Sequence, residues 1–240
     1  MIGSIKSLTN KALRSLGYEL RAFDGGNPHF QEHAALMDPR IGMIVDVGAN
    51  HGQYGSRIRK ILPDTPICSF EPLPDAFSEL SRKAAADGHW QTFNVGLGSA
   101  SSRLDFIVAG NSQSSSFLEM QDVHISAAPN SEPVYTISVQ VEPLDAFLDR
   151  FPPSVFLKID TQGYELEVLS GAHNALDRAL YVYIEVSFVE LYKGSPLAHD
   201  VMARMQEFGF EVRTITPGFS DIGNAKLLQA DILFSRQNVS

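Results

Sequence analysis

From residue 41 onward, apolar stretches of strand length alternate with stretches whose apolar residues recur at helical spacing. The first kind predicts strands at 43–47, 66–70, 154–160, 180–186, 210–215 and 230–236, with a further strand starting within 90–98. The second kind predicts helices at 52–62, 73–88, 143–151, 163–176 and 196–209. This alternation is typical of a parallel sheet covered by helices. We therefore expect one α/β domain with a doubly wound sheet of about seven strands.

Two other segments alternate apolar and polar residues with a period of two. They are "SRLDFIVA" (102–109) and "VYTISVQVEPL" (134–144), and they flank the polar loop "GNSQSSS" (110–116). Such alternation indicates strands that are exposed on one face. The sequence thus predicts a small β insertion in the main sheet, while 216–229 reads as a loop.

The first 40 residues form a separate region in this prediction, an N-terminal helical extension before the 41–240 domain. Its first 23 residues have the apolar spacing of an amphipathic helix, with Lys and Arg between the apolar positions. Such a helix packs on the domain, or it serves as a lid or a peripheral membrane contact. The chain has no signal-peptide centre and no apolar run of about 18 residues, so we expect a cytoplasmic protein.

Charge and composition exclude several function classes. The chain has 19 Lys and Arg against 28 Asp and Glu, a net charge of −9, which is unfavourable for general nucleic-acid binding. Cys68 is the single cysteine, so neither a disulfide nor a cysteine metal cluster can form within the chain. The seven histidines show no zinc-ligand spacing, and no Gly-x-Ser-x-Gly turn indicates a serine hydrolase.

The strongest candidate for a ligand site is the turn "DVGANHGQYG" after the first strand. Asp46 ends this strand, and Gly48, Asn50 and Gly52 form the turn before the next helix. Bare turns at a helix N-terminus let polar ligands approach the backbone. The spacing is not the dinucleotide fingerprint, because Asn50 stands where that motif needs glycine. A nicotinamide-dependent oxidoreductase is therefore the weaker alternative.

Polar residues also follow the next two strands. Glu71 ends the second strand about 20 residues beyond the glycine turn, where an acidic residue binds the ribose hydroxyls of a nucleoside ligand. Asn94 and Val95 follow the third strand, where an amide can satisfy the polar edge of a base.

Charged residues interrupt two strands that otherwise read as buried. Lys158 and Asp160 lie on one of them, and Glu185 lies on the other. Buried charges are costly unless they are paired or used, so a structural ion pair and a catalytic site both remain open. Adjacent strands would bring Glu185 near Asp160, where the two carboxylates would raise one pKa or share a cation.

The order of these motifs resembles the FkbM-type methyltransferases that depend on S-adenosylmethionine. The resemblance is carried by "VDVGANHGQYG", "FEPLPDAFSEL", "NVGLGS", "LKIDTQGYELEVLSGA" and "YIEV", and it covers about residues 40 to 235. It implies a class I methyltransferase (Rossmann-like) fold with an antiparallel last strand. It also implies O-methylation of hydroxyls on sugars, glycolipids or polyketides. Gln162 departs from the family pattern, which often has Glu there.

The resemblance further implies which residues bind the cofactor. The methionine part would meet Asp46 and the turn formed by Gly48, Asn50 and Gly52, with Tyr54 in the following helix. Glu71 would bind the ribose. Asn94 and Val95 would flank the adenine.

The sequence therefore predicts O-methyl transfer to a small-molecule or glycoconjugate acceptor, with Asp160 as general base. Lys158 and Glu185 would adjust the charge of Asp160. A divalent cation held by Asp160 and a neighbouring carboxylate is a variant of this hypothesis, although no metal ligand set is assigned. A non-catalytic cofactor-binding module on the same fold is the other alternative.

Overall fold

The computed structural model describes residues 28–237 and, in isolation, residue 13. The strands of the described residues are β1 (Ile44–Val47), β2 (Ile67–Phe70), β3 (Trp90–Phe93), β4 (Gly96–Leu97), β5 (Ser102–Ala109), β6 (Pro133–Glu142), β7 (Val155–Ile159), β8 (Ala179–Ser187), β9 (Phe210–Pro217), β10 (Ser220–Asp221), β11 (Lys226–Leu227) and β12 (Gln229–Arg236). The α-helices are α1 (Pro28–Leu36), α2 (Gln53–Ile61), α3 (Pro74–Ala85), α4 (Asp122–Ala127), α5 (Glu165–Ser170), α6 (His173–Arg178) and α7 (Ala198–Glu207).

Seven of these strands form the central sheet, in the order β3–β2–β1–β7–β8–β12–β9. The pairs from β3 through β8 are parallel, and β12 runs antiparallel to both β8 and β9. This confirms the predicted doubly wound α/β sheet with its last strand reversed. The order changes direction between β1 and β7, and ligands of such sheets bind beyond the strand ends at that point.

Helices cover both faces of the sheet because its strands carry apolar side chains on both faces. Along β1, Ile44 packs toward the helices α1 to α3, while Val45 packs toward α5 to α7. Both side chains are fully buried. This two-sided burial explains why the strands of the parallel part read as continuous apolar runs.

The predicted β insertion is also confirmed. Strands β4, β6 and β5 form a separate three-stranded sheet, in which β5 and β6 pair antiparallel. Its apolar face, which includes Phe106 and Val139, packs against Leu73 and Ala76 at the start of α3. The polar segment 110–116 begins the connection from β5 to β6 and includes a short 3-10 helix, Ser112–Ser114.

The prediction of one continuous helix over 163–176 is wrong. The helix divides into α5 and α6 at Gly171, where a Cβ atom would lie 1.9 Å from the carbonyl oxygen of Gly98. The contact between these chain segments therefore interrupts the helix. Likewise, 143–151 forms a 3-10 helix, Leu144–Arg150, and 216–229 contains the small β10–β11 pair instead of only a loop.

The N-terminal region is described only in part. Helix α1 packs its Leu36 into the core beneath α2 and α3. The amphipathic helix predicted within residues 1–23 lies outside the described residues, and the boundary at residue 40 stays a prediction. None of the helices in the described range is long and apolar enough to cross a membrane.

Candidate active site

A cleft of about 560 Å³ opens along the carboxyl ends of the central strands. Ligand sites of this fold lie in that position, and the volume is in the usual range for a small-molecule site. Its walls come from the turn after β1, the ends of β2, β7, β8 and β12, helix α2 and the serine-rich segment. We call the part beside β1 and β2 the nucleoside half, and the part beside β7, β8 and β12 the carboxylate half.

The turn between β1 and α2 is fixed by internal contacts. Gly48 has φ 72°, and a Cβ there would lie 1.8 Å from the carbonyl oxygen of Asp160, so only glycine fits. Gly52 has φ 78°, and a Cβ there would meet Leu80 and Trp90. Gly48 lines the cleft but Gly52 does not. The turn therefore needs glycines mainly because β1 packs closely against β7 and α2 packs closely against β3.

Asn50 adopts the left-handed conformation, with φ 48°, and asparagine tolerates it better than most residues. Its side-chain oxygen accepts hydrogen bonds from Gln53 and from Ser112, 3.2 Å away in each case. The residue that breaks the dinucleotide fingerprint therefore joins the glycine turn to the serine-rich segment. It also lines the cleft.

Glu71 lies at the end of β2 and is almost completely buried. Its Oε2 accepts the backbone N–H of Asn50 at 2.7 Å, and its Oε1 accepts that of Leu73 at 2.8 Å. Burial raises the pKa of this carboxyl to about 7, against the lowering effect of these two amides. The carboxylate still has lone pairs free for ribose hydroxyls, since it can accept about four hydrogen bonds.

The two predicted adenine neighbours are placed differently. Val95 is buried and lines the cleft. Asn94 is exposed, and its side-chain amide donates to the carbonyls of Glu71 at 2.9 Å and Pro72 at 3.1 Å. Asn94 is therefore not part of the cleft wall, and it fixes the backbone that carries Glu71.

Lys158 and Asp46 form a buried ion pair beneath the glycine turn. The ammonium group of Lys158 lies 3.3 Å from Oδ1 of Asp46 and 3.4 Å from Oδ2 of Asp160. It also donates to the carbonyl oxygen of Gly48 at 3.2 Å. Burial by itself would lower the pKa of Lys158, but Asp160 and Asp46 outweigh it and raise the pKa above the usual value. Asp46 is fully buried and does not line the cleft, so its contacts are with the protein itself.

Asp160 and Glu185 come together in the carboxylate half, as expected for neighbouring strands, and Gln162 lies between them. The Nε2 of Gln162 donates to Oδ1 of Asp160 at 2.9 Å and to Oε2 of Glu185 at 2.5 Å. Gln229 also donates to Oε2 of Glu185, at 2.8 Å. Burial raises the pKa of Glu185 well above the usual range, and Asp160 and Asp231 raise it further.

Sequence reasoning missed Asp231, which lies beside Glu185 because β12 inserts between β8 and β9. Burial and the nearby Asp160 raise the pKa of Asp231 to about 6. Tyr183, two residues before Glu185 on the same strand, also lines the cleft. The segment "ADILFSR" does show an acidic residue, Asp231, near the start of a late strand. Its position beside Glu185 cannot be predicted without knowing the order of the strands in the sheet.

Helix α1 closes the carboxylate half from the side. Glu32 is buried and binds Arg57 through two hydrogen bonds of 3.0 and 2.6 Å. The ring of Tyr54 lies 4.9 Å from this guanidinium and 5.7 Å from the ammonium of Lys158. Tyr54 therefore forms the wall beside the carboxylate half together with Tyr183, whose ring centre is 6.4 Å away.

No group of three or more His, Cys, Asp or Glu side chains within 28–237 has the arrangement of a metal site. The carboxylates of Asp160 and Glu185 are bridged by the amide of Gln162, which donates hydrogens where a shared cation would need open oxygens. The arrangement does not fit the cation variant of the hypothesis. The thiol of Cys68 is buried in the core, and burial raises its pKa to about 12.

Comparisons with known proteins identify the family to which the chain belongs. The sequence model of the methyltransferase FkbM domain matches residues 46–212. The 2-O-methyltransferase NoeI of Sinorhizobium fredii is 24% identical over 168 residues, covering 67% of this chain and 69% of that protein. The hexuronic acid methyltransferase AglP of Haloferax volcanii is 29% identical over 147 residues, covering 60% of this chain and 55% of that protein.

A crystal structure of methyltransferase FkbM from Methylobacillus flagellatus superposes with a TM-score of 0.49 and 14% identity. The alignment covers 86% of this chain and half of that one. The family match spans more than half of the present sequence, and the sheet order is that of the class I methyltransferases. The chain therefore belongs to the FkbM family of methyltransferases, whose methyl donor is S-adenosylmethionine.

Proposed function

We propose that this protein transfers a methyl group from S-adenosylmethionine to a hydroxyl of a sugar or glycoconjugate, with Asp160 as the general base. The observation that carries the proposal is the position of Asp160. Its backbone carbonyl meets the glycine turn at Gly48, while its side chain faces the carboxylate half. The base thus lies at the border between the two halves of the cleft. Two relatives are named as a 2-O-methyltransferase and a hexuronic acid methyltransferase, which supports an oxygen acceptor on a sugar.

The nucleoside half suits the donor. Glu71 would accept hydrogen bonds from the ribose hydroxyls, and Val95 would cover one face of the adenine. Gly48 and Asn50 would place backbone atoms beside the amino-acid part of S-adenosylmethionine. The bound donor supplies an electrophilic methyl group, so the task of the protein is to align an acceptor oxygen with it and exclude water.

The carboxylate half suits proton removal from a hydroxyl. A sugar hydroxyl is a weak nucleophile near neutral pH, and a positioned carboxylate can take its proton as the new bond forms. Lys158 and Gln162 hold the two oxygens of Asp160 from opposite sides, at 3.4 and 2.9 Å. Glu185 lies next to Asp160, and burial together with the charges of Asp160 and Asp231 raises the pKa of Glu185 well above its usual range.

The same half also favours an acceptor rich in hydroxyl donors. Its described carboxyls include Asp160, Glu185 and Asp231, while the nearby cations Lys158 and Arg57 are already engaged by Asp46 and Glu32. Carboxylates accept hydrogen bonds from several hydroxyls at once. A neutral sugar should therefore bind better than a sugar acid.

The test is methyl transfer from labelled S-adenosylmethionine to methyl glucoside, methyl glucuronide and transfer RNA. We expect label on the sugars, more on the neutral one, and none on the RNA. In Asp160→Asn, turnover should fall by about 10²–10⁴-fold while S-adenosylhomocysteine still binds, because only proton removal is lost. A variant that binds the cofactor normally and turns over fully would exclude Asp160 as the base. Normal binding without transfer to any acceptor would favour a non-catalytic module.

A further inference from the structure

Gln162 has an unusual backbone and an unusual number of partners. Its φ is 54°, in the left-handed region, and it is followed by Gly163 with φ 96°. Its carbonyl oxygen accepts a hydrogen bond of 2.7 Å from Ser116 of the serine-rich segment. A residue held in this conformation costs free energy, and such residues concentrate at functional sites.

The side chain of Gln162 is oriented by a third residue. Tyr192 is fully buried, and its hydroxyl lies 2.8 Å from Oε1 of Gln162 and 2.9 Å from the carbonyl oxygen of Ser114. When the hydroxyl donates to Oε1, the NH₂ group of the amide must face the carboxylate half. Both hydrogens of Nε2 are then used, one toward Asp160 and one toward Glu185.

We propose that Gln162 is the positioning residue of the active site, which holds Asp160 and Glu185 at a fixed separation and directs Asp160 toward the acceptor. An amide suits this role because it offers two hydrogens from one nitrogen and keeps them at every physiological pH. A carboxylate in the same place would add a third negative charge, and an apolar side chain would leave the two carboxylate oxygens without their shared donor. The inference deepens the proposed function, on which the role of Asp160 rests.

Several charged groups face Asp160 and Glu185 and influence the titration of the two carboxyls. Lys158 approaches Asp160 from β7, Asp231 faces Glu185 from β12, and Asp46 lies behind Lys158 on β1. Glu165 of α5 is buried beyond Gln162, and its Oε1 accepts the amides of Thr161 and Gly163 at 3.1 Å. Only the amides of Gln162 and Gln229 donate to Glu185 among the described residues.

The test compares Gln162→Met and Gln162→Glu with Gln229→Met. The last variant removes the other amide donor of Glu185, and a 3.4 Å hydrogen bond to Ser187, without removing a donor from Asp160. Urea unfolding is measured from about pH 5 to about pH 8. In Gln162→Met, Glu185 loses one of its two amide donors, so its raised folded-state pKa rises further and the free energy of unfolding falls increasingly as pH rises. In Gln162→Glu the free energy of unfolding should fall more steeply as pH rises. It should recover at low pH, because the introduced carboxyl can donate a hydrogen bond once it is protonated. Gln229→Met should show the smallest dependence on pH.

The comparison is repeated in the Asp160→Asn background. If Gln162 bridges the pair, the pH-dependent part of the Gln162→Met effect should shrink to less than about half there. A Gln162→Met effect that is the same at every pH, or is unchanged in the Asp160→Asn background, would overturn the proposal.

Turnover provides the second readout. With methyl glucoside as acceptor, Gln162→Met should lower kcat by about 10-fold or more and leave the Kd of S-adenosylhomocysteine unchanged. An unchanged kcat would also overturn the positioning role. If the stability results hold but Asp160→Asn retains full turnover, the bridge between the carboxyls stands and the assignment of the base fails. The two failures can therefore be told apart.

Discussion

Glu71 in the nucleoside half and Glu185 in the carboxylate half are both carboxyls with raised pKa, but the protein holds them by different means. The oxygens of Glu71 accept backbone amides from Asn50 and Leu73. Glu185 accepts side-chain amides from Gln162 and Gln229. A carboxyl held by the main chain depends on the shape of a turn, whereas one held by side chains depends on the identity of those side chains.

This difference has a consequence for function. The partners of Glu71 are backbone amides of two nearby turns, so the nucleoside half can persist through extensive substitution elsewhere. The carboxylate half is assembled from β7, β8 and β12, and each of its side chains can change alone. We expect cofactor binding to be common among relatives and acceptor choice to vary with the carboxylate half.

The largest expected effect comes from Lys158→Met, since Lys158 lies beneath both halves. The substitution leaves Asp46 fully buried with its charge unpaired, and breaking such a pair costs about 3–5 kcal/mol of the free energy of unfolding. Urea unfolding near neutral pH measures it. The double variant Lys158→Met/Asp46→Asn should recover much of the loss, and no recovery would mean that the ion pair is not the cause.

The second-largest loss is expected for Gly48→Ala, which should lower the free energy of unfolding by about 2–3 kcal/mol. The added Cβ would overlap the carbonyl oxygen of Asp160. The turn would have to shift, so cofactor affinity should fall as well. Gly88→Ala is the matched control. Gly88 has φ 78°, but no atom lies within 4 Å of its added Cβ. The control should cost only about 1 kcal/mol, from the backbone conformation alone. Equal losses would argue against the close contact between β1 and β7.

The pH dependence of cofactor affinity tests Glu71. Because ribose hydroxyls donate to the ionised carboxylate, the Kd of S-adenosylhomocysteine should rise by up to about 10-fold per unit as pH falls below about 7. The stability of the free protein should change in the opposite direction. A folded-state pKa raised from 4.5 to about 7 contributes stability below pH 4.5 that is lost as pH rises to 7. Glu71→Gln should remove this dependence of Kd on pH, and its persistence would implicate another group.

The smallest effect is expected at the bridge between the serine-rich segment and the glycine turn. Ser112→Ala removes the 3.2 Å hydrogen bond to Asn50 and the 3.1 Å hydrogen bond to His51, and it should cost about 0.5–1.5 kcal/mol in stability. Thermal unfolding measures this loss. Ser101→Ala is the control, because the exposed Ser101 hydroxyl donates to Glu142 away from the cleft. A larger effect in the control would show that the segment is not anchored through Ser112.

Most of the sheet could be predicted because buried parallel strands leave a local signature of apolar runs between helices. Gly48, Glu71, Asp160 and Glu185 could be predicted to lie together because chemistry-bearing residues in this fold lie at or near strand ends, and all four line the cleft. The order of the last strands leaves no local signature, so the pairing of Asp231 with Glu185 could not be predicted. Nor could the break at Gly171, which depends on contact with Gly98, distant in sequence.

The structural role of a residue differs from the expected one where the same residue type can serve either ligand binding or internal packing. The sequence predicts that the glycine at 52 makes room for a ligand, but in the structure Gly52 makes room for Leu80 and Trp90. From the sequence, Gln162 is only a departure from the Glu of the family pattern, whereas in the structure its amide joins two carboxyls that sequence alone could not place around it. The resemblance places Asn94 beside the adenine, but in the structure its side-chain amide donates to backbone carbonyls of Glu71 and Pro72.

The division of the cleft into two halves is tested most directly by calorimetric titration with S-adenosylhomocysteine and, separately, with NADH. The titrations compare the unsubstituted protein with Glu71→Ala and Asp160→Asn. We predict binding of S-adenosylhomocysteine alone, lost in Glu71→Ala and retained in Asp160→Asn. Equal loss in both variants would contradict the division, and preferential binding of NADH would contradict the cofactor assignment itself.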